Sequence, residues 1–111
     1  MPPVLTDADR HQLMSNARAT AENDDLDPQP VVRLFLLGTN ASWLLTELMP
    51  HDPDTAFGLC DLGMGCPELG YVSISEISGS RLPLMRDPAF RPTRTLSEYA
   101  TIANREGIIT L

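Results

Sequence analysis

Lysine is absent from this chain: all eight basic residues are arginine, against fifteen aspartates and glutamates, for a net charge of −7. A body this acidic excludes sequence-independent gripping of nucleic acid by the whole surface, and favours partners that are basic or that themselves bind nucleic acid. The arginine-only usage itself needs no more than a GC-rich coding sequence. Cysteine is scarce, with two residues, and their simplest state in a chain read as cytoplasmic is free thiol. No apolar run approaches the ~20 residues of a bilayer-spanning helix. The Met1-Pro-Pro-Val start has neither a basic n-region nor a long apolar h-region, so no signal peptide is expected, and the chain reads as cytoplasmic. The Asn40-Ala-Ser42 sequon then carries no meaning.

What is present is an ordinary globular composition, 42% hydrophobic and 21% charged over 111 residues, enough for a single domain spanning 1–111 with one core. Charge is segregated along it. Residues 1–80 carry three arginines and twelve acids, and residues 81–111 carry five arginines and three acids. An acidic body thus ends in a basic segment.

The pattern of apolar and breaker residues predicts an α+β fold: a small antiparallel β-meander of four or five strands with an N-terminal and a C-terminal helix packed on it. Thr6 with Asp9 is a helix-start signal, and residues 7–20 read as a helix with Leu13, Met14, Ala17 and Ala21 on its apolar stripe. An acidic, proline-containing linker follows over 22–30. The sheet core spans 31–78. Its strands are 31–37, 41–48, 55–62 and 69–73, with turns at Gly38-Thr-Asn40 and Pro50-His-Asp-Pro-Asp54. Trp43, Phe57 and Leu59 are the expected core anchors. Ser73 and Glu76 can cap a single helical turn ending near Gly79. Residues 81–94 hold three prolines and read as an extended segment with room for a short edge strand. Thr95 and Glu98 form a capping box for a helix within 95–107, with Leu96, Tyr99, Ala100 and Ala103 on one face and Gly107 just past its end.

Little in this chain spells a chemistry. Cys60 and Cys66 are separated by five residues, with His51, Asp61 and Glu68 nearby. Structural zinc sites space cysteine pairs by two to four residues and use four ligands, so the sequence implies no metal and no cofactor. There is no G-x-S-x-G elbow, and a Cys60–His51 pair would lack a third member, so no catalytic residue is assigned and the chain reads as a non-enzyme. Gly63-Met-Gly65 is G-x-G, but Glu68 stands where a phosphate loop wants glycine and a strand follows, so these glycines are expected to supply positive φ in a turn.

The stretch Glu68-Leu-Gly-Tyr-Val-Ser-Ile-Ser-Glu-Ile77 carries a family resemblance. With Val32–Phe35, Phe57-Gly58 and Arg86-Asp-Pro-Ala-Phe-Arg-Pro92 in order, it resembles an uncharacterised domain-of-unknown-function family carried on conjugative plasmids and integrative elements, whose core reads E-L-G-Y-x-S-x-x-E-L and whose closing segment reads R-D-x-x-F-x-P. The likeness covers residues 30–97. It implies residence on a mobile element and implies no activity.

Two functional expectations follow. In the first, the chain is a non-catalytic accessory factor that binds a protein, most concretely an acidic inhibitor of a nucleic-acid-acting defence system such as restriction or CRISPR. Asp24, Asp25, Asp27, Asp52 and Asp54 would then present spaced negative charge to a site that normally grips phosphates. In the alternative, Arg81, Arg86, Arg91 and Arg94 line phosphates, and the chain is a regulatory or DNA-handling module for conjugative transfer. Only Phe90 interleaves those arginines as an aromatic, and Arg86-Asp87 reads equally well as an internal ion pair, so the protein partner is the leading reading.

Overall fold

The computed structural model describes residues 4–111, so the first three residues of the start read for a signal peptide lie outside it. The elements in chain order are helix α1 (Asp7–Glu22), strands β1 (Val32–Leu36), β2 (Ser42–Met49), β3 (Asp52–Asp61) and β4 (Glu68–Ser73), the short helix α2 (Ile74–Ser78), strand β5 (Leu84–Arg86) and helix α3 (Leu96–Glu106). The strands form one sheet in the order β4-β3-β2-β1-β5. β1 to β4 are the expected antiparallel meander. β5 returns from the proline-rich segment to extend it, pairing Leu34 with Arg86 and Leu36 with Leu84. The expected α+β class is the observed one, and the sheet reaches beyond the 31–78 core because β5 joins it.

The two long helices take opposite faces, and β2 shows why. Trp43 and Leu45 join the core under α1 with Leu13, while Leu44 joins the core under α3 with Leu59, Leu96 and Tyr99. A strand covered on both sides reads as a continuous apolar run rather than an alternation. Leu45 pairs with Gly58 but Glu47 pairs with Phe57, so Thr46 is an extra residue, a β-bulge. The bulge resets the alternation and returns Leu48 to the α1 side. At this point a Cβ on Gly58 would lie 2.0 Å from the Leu44 carbonyl oxygen. No side chain fits there.

Both predicted capping boxes form, Thr6 with Asp9 and Thr95 with Glu98, and Gly107 ends α3 at φ 77°. α1 runs on to Glu22, and Ala21 is exposed rather than part of the buried stripe. The last side-chain bond from α1 to the sheet is the Thr20 hydroxyl donating to the Glu47 carboxylate (2.9 Å), and Ala21 lies beyond it. Trp43 and Leu59 are fully buried core anchors, but Phe57 is half-buried, at the margin of the core under α3, with the exposed Tyr71 ring of the outer strand β4 beside it (centroids 5.0 Å apart). The turn expected over 50–54 closes at Pro50-His51, and Asp52 already belongs to β3. Gly63 and Gly65 carry positive φ in the β3–β4 turn, at 78° and 82°.

Candidate functional site

The arginine segment folds back onto its own protein. Arg86 ends β5, and its guanidinium meets Asp9 of α1 through two bonds, Nε to Oδ2 at 2.7 Å and Nη2 to Oδ1 at 2.9 Å. This fork-on-carboxylate geometry is the strong form of the ion pair. Burial pushes the Asp9 carboxyl up, but the Arg86 bond, the Thr6 bonds and the Arg86 charge outweigh it and hold the group below its ordinary value. Asp87 pairs with Arg33 (3.3 Å), whose guanidinium lies 5.0 Å from the Phe35 ring centre. The Arg86-Asp87 dipeptide thus makes two ion pairs, each with a partner remote in sequence. Arg91 donates to the Pro88 and Phe90 carbonyls, at 3.2 and 2.8 Å. Arg94 lies 5.9 Å from the ring centre of Tyr99, whose hydroxyl accepts from the Thr93 N–H (3.0 Å). Arg81 is exposed.

The five candidate aspartates are held at separate places. Asp27 accepts from the Ser97 N–H (3.1 Å) and the Ser97 hydroxyl, bracing the first turn of α3. Burial raises its carboxyl, and the hydroxyls of Ser97 and Thr95 with the Ser97 N–H more than reverse this, leaving it below its ordinary value. Asp24 and Asp25 are exposed on the linker before it. Asp54 lies at the other end of the acidic set, beside α2. It accepts from the hydroxyls of Ser73 (2.6 Å) and Ser75 (2.8 Å) and from the Ser75 N–H (2.9 Å). Those bonds, Ser73's foremost, lower its carboxyl, with a further contribution from the Arg10 charge. Asp52 accepts from the Thr55 hydroxyl (2.6 Å) and the Asp54 N–H (3.3 Å).

The start of α2 therefore differs from the sequence expectation. Ser73 caps it by accepting from the Glu76 N–H (3.2 Å), but the acid that serves its first turn is Asp54, supplied by β3. Glu76 is exposed. Nothing local in the sequence signals a cap delivered from 21 residues away.

Asp61 is the second residue whose role sequence reasoning missed. Considered there as a possible metal ligand, it is 1% exposed at the end of β3, accepting from the Gly63 N–H (2.8 Å) and the Ile109 N–H (3.0 Å). The apolar tail 108–111 is thereby drawn beside the β3–β4 turn. Cys60 lies in β3 opposite Trp43 and Glu68, where burial, and then the Glu68 charge, push its thiol up. His51 stands at the other end of this ten-residue strand, and Cys66 is exposed in the turn. Among the described residues no group of three or more His, Cys, Asp or Glu gathers as a metal site, and no helix is long and apolar enough to cross a membrane.

A hollow of about 400 Å³ lies between α1 and the proline-containing linker, lined by Gln12, Asn16, Pro28, Pro30 and Pro92. Its amides serve the fold: Asn16 donates to the Thr46 carbonyl (2.9 Å), and Gln12 donates to Asn16 (2.9 Å). The geometry offers surfaces rather than a pocket chemistry.

The family model described as protein of unknown function (DUF2958) matches residues 4–110. The chain belongs to that family. No curated protein and no solved structure matches it. The match spans every helix and strand described, from before α1 to the tail held by Asp61, and the family description carries no catalytic activity.

Proposed function

We propose that this member of the DUF2958 family is a non-catalytic, cytoplasmic accessory factor of a mobile genetic element that works by binding another protein. In its most concrete form it is an acidic inhibitor of a nucleic-acid-acting defence system, of the restriction or CRISPR kind. The observation that carries the reading is the fate of the charges. Of the four segment arginines, Arg86 is spent on Asp9, Arg94 lies beside Tyr99, and Arg91, itself exposed, bonds the carbonyls of its own turn. From residue 34 to residue 80 there are six acids and no arginine. A protein so arranged attracts cationic surfaces, such as those with which enzymes hold phosphates. The mobile-element setting rests on the sequence resemblance.

The test is affinity purification of the tagged protein from its bacterial host at moderate salt, followed by charge reversal of the captured complex. Acids without a fold-keeping role are the ones to reverse: Asp24 and Asp25 on the linker, Glu68 and Glu76 beside β4. A stoichiometric nucleic-acid-acting protein is expected, with binding that weakens as salt rises and as these acids become arginine. If all four reversals left binding and its salt dependence unchanged, the electrostatic reading would fall. Recovery of DNA, with a steep salt slope that flattens on removing Arg81, would instead favour the DNA-handling alternative.

A further inference from the structure

Among the described residues no strand pairs with the outer edge of β4. β4 pairs with β3 alone, and among the described residues no loop backbone bonds to residues 68–72 from outside the ladder. Such a strand leaves an N–H and a C=O free at every second residue. Register with Leu59 and Phe57 puts Leu69 and Tyr71 on the α3 face of the sheet, 48% and 68% exposed. A Cβ on Gly70 would meet nothing within 4 Å. Pro67 and Glu68 mark the start of the strand, but from Leu69 to Ser73 neither proline nor a charged side chain interrupts it. Acids mark both ends, with Glu68 at the start and Glu76 where the strand runs into α2, beside an Asp54 already engaged by Ser73, Ser75 and the Arg10 charge.

We infer that the β4 edge receives an extended segment of a basic protein as a sixth strand. The segment places two apolar side chains, at alternating positions, over Leu69 and Tyr71, and an arginine or lysine flanking each of them on the opposite face, toward Glu68 at one end and the acidic start of α2 at the other. Main-chain bonds supply the docking and the alternating side chains the selection. Charge decides against a second copy of this chain, because antiparallel self-pairing brings Glu68 of each strand toward the acidic end of the other. This inference rests on the protein-binding reading and adds which surface is used and what it takes.

The probe is the capped heptapeptide Thr-Arg-Val-Thr-Val-Arg-Thr, whose valines share one face and whose arginines share the other, titrated into the ¹⁵N-labelled protein to about 5 mM, a range suited to an isolated strand-adding peptide. Saturable shifts are expected in the amides of residues 68–73 and of Glu76. Replacing the peptide arginines by glutamates is expected to weaken binding about fivefold or more. Tyr71→Asp is expected to weaken it about tenfold, as loss of an aromatic anchor does. Leu82→Asp, at an exposed site off the strand, leaves binding unchanged. Trp43 fluorescence verifies that each variant is folded. No saturable shift, shifts centred on another element, or equal affinity for the glutamate-bearing peptide would overturn the inference. So would a dimer of the free protein that Tyr71→Asp dissolves. A captured cellular partner that holds Tyr71→Asp as tightly as wild type would sink the edge while leaving the protein-binding reading intact. Peptide binding without any captured protein would support the edge and sink that reading.

Discussion

The two edges of this sheet are built on opposite terms. β5 is three residues long, preceded by Pro83 and followed by Pro88, and its last residue is locked to α1 through Arg86 and Asp9. β4, which follows Pro67, is six residues long, is tied to no helix by an ion pair among the described residues, and shows Leu69 and Tyr71 to solvent. An unpaired strand is a hazard that proteins ordinarily suppress with charge, proline or brevity. One edge here carries all three devices. The contrast teaches that the open edge is not a general carelessness of the fold, because the means to close it were in use 20 Å-scale distances of sheet away, at about four strand spacings of ~4.8 Å.

The comparison can be broken at its centre. Gly58 lets β2 and β3 approach so closely that both edges depend on it, and Gly58→Ala is expected to cost about 3 kcal/mol or more. Urea unfolding followed by Trp43 fluorescence would measure it. A cost under about 1 kcal/mol would show that the bulge at Thr46 relaxes to admit the methyl.

The closed edge comes next. Asp9→Asn removes the negative charge and one of the two oxygens that serve the Arg86 fork and the Thr6 N–H of the α1 capping box. Arg86 is about a third exposed, so the expected loss is about 2 kcal/mol rather than the larger figure of a fully buried pair. The same residue fixes an acid limb. Its folded-state carboxyl sits below the ordinary 3.8, so its contribution is complete above that value and is lost as pH falls through the lower, folded one. Wild type is therefore expected to lose stability below pH 3.8 more steeply than Asp9→Asn, in parallel urea titrations across that range. Equal slopes would remove Asp9 from the account.

The open edge gives the smallest effect on stability. Leu69→Thr exchanges an exposed side chain for a good strand former and is expected to change stability by no more than about 0.5 kcal/mol, and Tyr71→Thr, which also loses the Phe57 ring contact, by about 1 kcal/mol. A loss as large as that at Asp9 would mean that β4 is held by its side chains, not offered by them.

How much of this was legible in the sequence follows from the range of each interaction. The capping boxes at Thr6 and Thr95, the Gly107 stop and the four meander strands are written within a few residues and were readable there. β5 was readable as an edge strand but not its partner, because pairing with β1 depends on a return across the sheet. Phe57 read as a core anchor because its neighbours are apolar, and it is half-buried because it lies at the margin of the core under α3. At the site level, the sequence showed which residues were charged and not which charges were spent. Arg86 on Asp9, Asp27 on Ser97 and Asp54 on Ser75 join residues 77, 70 and 21 positions apart. Local pattern carries no trace of such pairs.

The carboxylate of Asp61 makes a clasp as well as a contact. It fastens Ile109 across 48 positions of chain, as the last tie of a segment that β4, β5 and α3 already hold to the sheet. Its fastening belongs among the last events of folding and the first of local opening. The native molecule therefore has a way to loosen from its tail inward while the sheet stays whole. Hydrogen exchange would show it as Gly63 and Ile109 amides losing protection together, ahead of every amide in β2.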